Sequence, residues 1–142
     1  YGVQLKYETA RGGMKTTVFD EFGINTVIFY PVYINKLTPP IVLSLLKDPN
    51  WSLAYSDRIS VVFIKRGSVP DLPVLDKEAL WQYLIIHAEG EIARKPKNIA
   101  NYIAIRDIYF ARGEWDKARQ VIDRVKLIDP NFSEKEFSGA GR

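Results

Sequence analysis

The chain has 142 residues, 46% of them apolar, and carries a net charge of +3. It has no cysteine and a single histidine, His87, which excludes disulfide frameworks, thiol catalysis, cysteine-based metal sites and paired-histidine chemistry. Residues 1–70 hold 8 Lys/Arg against 5 Asp/Glu, a surplus of three, whereas residues 71–142 hold 12 of each, a poor footprint for nucleic acid. Met14–Phe22 has the pattern of a short helix stopped by Gly23. Ile24–Tyr30 is β-branched and aromatic on both faces, as expected of a buried strand central in a sheet. Thr38 is placed to cap a helix whose first turn holds Pro39 and Pro40 and which runs through Ile41–Leu46. Asp48-Pro49-Asn50 is a turn signal. Trp51, Leu53 and Tyr55 then alternate with Ser52, Ala54 and Ser56, which predicts a half-buried strand with one aromatic face. Ser56-Asp57-Arg58 turns the chain into a second strand, Ile59–Ile64.

After Gly67–Pro73 the period becomes helical. Asp76 is the expected N-cap of a helix from Lys77 to about Arg94, with Leu80, Leu84, Ile85, Ala88 and Ile92 along one stripe. A further helix begins near Ile99 and ends at Gly113. Another follows and stops before Pro130. Ser133–Phe137 is expected as a last short helix and residues 138–142 as a frayed tail. The expected fold is therefore α+β or α/β. A small α/β domain with a strand hairpin (1–70), a linker (71–75) and a helical-hairpin domain (76–137) precede the tail. No 18-residue apolar run is present, so no membrane span is expected. The first residue is not methionine, and a longer parent chain is expected.

Counted from Ile99, the residues Tyr102, Ile105, Tyr109, Gly113, Ala118, Ile122 and Pro130 resemble one tetratricopeptide repeat. Pro96 and Pro130 are 34 residues apart, the length of that repeat, so the preceding helix stands where a degenerate earlier repeat would end. Leu84 departs from the alanine that phase expects. Arg106 departs from the small residue expected where the paired helices touch, and implies either an arginine stem that reaches outward past Ala118 or a splayed pair. The resemblance implies a groove lined by Ala100, Ile103, Ala104, Asp107, Phe110 and Ala111, taking a protein or peptide, with Phe110 and Asp107 as anchors. The alternative for Phe110 is packing against the preceding helix or the α/β half.

Phe19–Phe29 and Asp48–Arg66, with their helix–Gly–strand unit and Trp-x-Leu-x-Tyr-x-Asp run, resemble the soluble C-terminal domain of multi-pass membrane proteins similar to dolichyl-phosphate-mannose-protein mannosyltransferases. That resemblance implies an extracytoplasmic location and a membrane part of the same parent chain as partner. It carries over no catalytic residue, because that family's acidic residues lie in the membrane part. A cytoplasmic tetratricopeptide adaptor is the alternative location.

No catalytic residue, cofactor or metal site is expected in these residues. Asp20 and Glu21 are adjacent on a helix and point apart, and Asp48 and Asp57 sit in turns where aspartate bonds its own backbone. His87 is expected on a helix surface or bonded between helices. Arg94-Lys95-Pro96-Lys97 complements a helix C-terminus or, alternatively, touches anionic headgroups or phosphate. Tyr30, Tyr33, Trp51 and Tyr55 offer an aromatic platform for a sugar ring, the alternative being that strand aromatics facing a helix are core.

Overall fold

The computed structural model describes residues 16–33 and 36–133. The start of the first expected helix at residues 14–15, residues 134–137 of the last helix and the 138–142 tail lie outside them. The described elements run α1 (Val18–Glu21), β1 (Thr26–Phe29), α2 (Pro40–Lys47), β2 (Trp51–Ser56), β3 (Val61–Lys65), α3 (Lys77–Arg94), α4 (Ile99–Ala111) and α5 (Trp115–Ile128). The architecture is α+β: a three-stranded antiparallel sheet, order β1-β3-β2, and a helical layer.

The centre of the sheet is β3, not β1. β2 and β3 are joined by a tight turn and pair locally, and β1 adds to the far side of β3. Apolar residues on both faces of Ile24–Tyr30 suit a central strand, yet Ile28 is 66% exposed at the edge. Val27 and Phe29 pair with Phe63 and Val61 and share the inner face, whereas Ile28 pairs with Val62 on the other.

α2 packs against both β2 and α4, so one hydrophobic core runs from Phe19 to Phe132 across the sequence boundary at residues 71–75. Pro39, not Thr38, occupies the N-cap of α2, without a side-chain cap. At its other end the Lys77 ammonium donates to the Asp48 carbonyl (2.9 Å) and reaches the Leu45 carbonyl at 3.4 Å. This joins the first turn of α3 to the open carbonyls of α2. Burial, with Arg66 nearby, pulls the Lys77 pKa down, while Asp48 opposes the shift.

The helices follow their local signals. Asp76 accepts from the Glu78 N–H (3.0 Å) and Asn98 from the Ala100 N–H (3.1 Å), each satisfying an orphan donor of α3 or α4. The expected α3 stripe is buried, with Trp81 added to it. A short turn at residues 112–114 folds α5 back on α4, and Gly113 sits there at φ +77°. A Cβ at Gly113 would meet nothing within 4 Å, so only the backbone conformation opposes a side chain. Gly113→Ala is expected to lower stability by about 1–2 kcal/mol in urea titration without changing the fold.

Candidate functional site

The aromatic platform comes apart in the structure. Trp51 and Leu53 pair with Lys65 and Phe63, but a bulge between Leu53 and Tyr55 shifts the register, and Tyr55 pairs with Val62. One extra residue turns every later side chain to the other face. Trp51 is thus buried at 2% exposure, edge-on to Phe19 at 5.6 Å, while Tyr55 is half exposed on the opposite face. Tyr30 and Tyr33 do meet, with centroids 6.5 Å apart, each also touching the Phe29 ring. The four residues do not form one surface on which a sugar ring could stack.

The turn aspartates serve the backbone. Asp48 Oδ1 accepts from the Asn50 N–H (2.8 Å), and Thr16 donates to its other oxygen. Asp57 Oδ1 accepts from the Ile59 and Ser60 N–H groups (2.7 and 2.8 Å), and the Tyr55 hydroxyl donates to Oδ2 at 2.6 Å. The Tyr55 hydroxyl, then these backbone donors, hold the Asp57 carboxyl below its ordinary value. A depressed carboxylate stabilises the fold above its ordinary pKa and loses that contribution as pH falls through the folded-state value. An NMR titration is therefore expected to place the Asp57 midpoint below that of an ordinary aspartate, with the Ile59 and Ser60 amides moving at the same pH. A midpoint at the ordinary value would contradict the turn geometry. Asp20 pairs with Lys65. His87 is half-buried, with its ring 6.2 Å from that of Tyr83. Arg94 pairs with Glu91 within the last turn of α3 (2.6 Å).

α4 carries the remaining candidates. Tyr102, Ile105 and Ile108 are buried in the core. Asn101 Nδ2 donates to the Glu91 carbonyl (3.2 Å) and the Tyr102 hydroxyl to the Pro96 carbonyl (2.7 Å), closing the end of α3. The other row is more open: Ala100 is exposed, and Ala104, Asp107, Phe110 and Ala111 are half-buried. Ile103 alone in that row is buried. Phe110 stands edge-on to Trp115 at 5.1 Å, and Trp115 is 58% exposed on the first turn of α5. The expected anchor is therefore half of an aromatic pair. Its second member was marked in the sequence only by an aromatic placed just past the turn glycine.

Arg106 neither reaches outward nor splays the helices. It is wholly buried, and its Nε and Nη2 donate to Asp107 Oδ1 at 3.1 and 2.7 Å. Ala118 is buried as well. Asp107 thus braces a buried cation as well as facing the open row. Arg112, which carried no motif, ties the α4–α5 turn to α3. It donates to Glu78 (3.0 Å) and Glu114 (2.9 Å) and lies 5.5 Å from the Trp81 ring centroid. Its hydrogen bond, then that of Gln82, pulls the Glu78 carboxyl down. Partial burial raises the Glu114 carboxyl, but the bonds from Arg112 and Lys117 outweigh it, and the net shift is downward.

Among the described residues, no group of three Asp, Glu or His side chains is placed to hold a metal ion, and no helix is long and apolar enough to cross a membrane. No family model matches the chain, and neither a curated protein nor a solved structure does.

Proposed function

We propose that this chain is a non-catalytic interaction module whose helical half docks a peptide or a partner domain. The observation that carries the reading is the row Ala100–Ala104–Asp107–Phe110–Ala111. It is a helix face open on either side of the buried Ile103, with Ala104 and Asp107 at its middle and the Phe110–Trp115 pair at one end. Small residues let a ligand backbone approach, and an aromatic at the end supplies an anchor. Tetratricopeptide-type phasing of α3, α4 and α5 supports the same use, since stacked helical hairpins leave such a face on one side. We further propose that the α/β half braces this module against the membrane part of a glycosyltransferase-like parent, on the extracytoplasmic side.

The docking reading is tested with an array of immobilised peptides probed by the purified chain. Phe110→Ala is expected to weaken the strongest binders at least about tenfold. Leu127→Ala, at the exposed far side of α5, is expected to leave them unchanged. Equal loss in both variants, or no binder at all, overturns the groove. The membrane-tethered reading is tested separately by the upstream reading frame: hydrophobic spans support it, and their absence removes it.

A further inference from the structure

The two edges of the sheet differ. On the β2 side, the Leu75 N–H donates to the Leu53 carbonyl (2.9 Å) and the Trp51 N–H to the Asp48 carbonyl (3.2 Å), so the chain itself engages two groups of that edge. On the β1 side, the phase of the ladder is fixed by the bond from the Lys65 N–H to the Asn25 carbonyl (2.8 Å). With the β1–β3 register, Asn25, Val27 and Phe29 then bond inward to β3, and the backbone groups of Thr26 and Ile28 point outward. No hydrogen bond engages those outward groups among the described residues. Both residues are exposed.

Proteins blunt such an edge with charge, proline or a bulge. β1 has none of these. From Ile24 to Asn35 there is no charged residue, in a chain of net charge +3. Ile28 lies two-thirds exposed on the outer face beside the strand's open side, and Tyr30 follows it, also exposed.

We infer that β1 pairs antiparallel with β1 of a second copy of this chain. An antiparallel pair of identical strands is self-complementary, because each offers the same alternation of N–H and C=O to the other about a two-fold axis. The uncharged segment lets two cationic chains meet there without like-charge repulsion, whereas a charged peptide would find no counter-charge on this edge. A two-fold pair uses the β1 edge of both copies, so this contact closes at two. A strand of four residues buries far less than the roughly 1,200 Å² typical of stable complexes, so the dimer is weak and forms at high protein concentration.

Sedimentation equilibrium of the whole chain tests this from about 10 μM to about 1 mM. The mass is expected to rise from 16.3 kDa toward twice that value. Amide exchange at Thr26 and Ile28 is expected to slow at least about tenfold over the same range. Ile28→Pro removes an outward N–H that β3 does not use, and Ile28→Lys places charge at the edge while keeping every backbone bond. Both variants are expected to stay at 16.3 kDa throughout. A wild-type chain that stays monomeric at the highest concentration overturns the inference. So does a dimer that survives Ile28→Lys, or one that leaves exchange at Thr26 and Ile28 unchanged. Protection of those amides only on addition of an extended peptide would assign the edge to another occupant and overturn it too.

Discussion

Trp51→Ala is expected to lower the stability of the fold by about 3–5 kcal/mol, a large part of the 5–15 kcal/mol typical of a whole domain. Trp51 opens β2 directly after the Asp48 turn, and its N–H donates to the Asp48 carbonyl (3.2 Å). Its ring meets Phe19 of α1 edge-on and lies in the core that α2 covers. One side chain thus links α1, the sheet and α2, and alanine would leave a cavity that three elements cannot all close. Trp51→Phe should recover much of the loss, since an aromatic ring remains in place. Tyr55→Ala, directly past the bulge and half exposed, gives up only the exposed hydroxyl bond to Asp57 and should change stability by no more than about 1 kcal/mol. Urea unfolding of the three variants checks the series. Similar small effects at Trp51 and Tyr55 would mean that both rings face solvent and that the bulge is absent.

The helical half was legible because its signals are local. Asp76, Gly113 and Pro130 each act within one turn, through a cap, a left-handed φ or a missing N–H, and each marks an end found in the structure. The sheet was less legible because its decisions are made between strands. Apolar residues on both faces suit a central strand and an uncovered edge strand alike, and only the pairing of β3 with two neighbours separates them. The alternation of Trp51, Leu53 and Tyr55 gave one face, since an extra residue in a ladder has no composition of its own. The α4 row was legible as a helix face. Its electrostatics were not, because the sequence does not show that Arg106 is wholly buried or that its neighbour Asp107 accepts from it.

Arg106→Ala is expected to cost about 2–5 kcal/mol, while Arg106→Met should stay within about 1.5 kcal/mol of the unaltered chain. The two variants separate packing from charge. Arg106 is wholly buried, so alanine empties a long slot inside the hairpin, whereas methionine fills much of it with an unbranched apolar stem. The guanidinium gives up its hydration to lie there. Its attraction to Asp107, whose side chain is 40% exposed, is partly screened by water. Removing the cation leaves Asp107 able to hydrate, so the ion pair itself contributes little beyond the volume it occupies. Thermal and urea unfolding of both variants decide this. A methionine variant as unstable as the alanine one would show that the charged hydrogen bonds to Asp107 hold the hairpin. The methionine variant also reaches the proposed groove. It withdraws a positive charge from beside Asp107, so the α4 row presents a more negative face, and array peptides rich in lysine should gain affinity while acidic ones lose it. Unchanged preference, in a variant that folds normally, would place the ligand elsewhere than on that row.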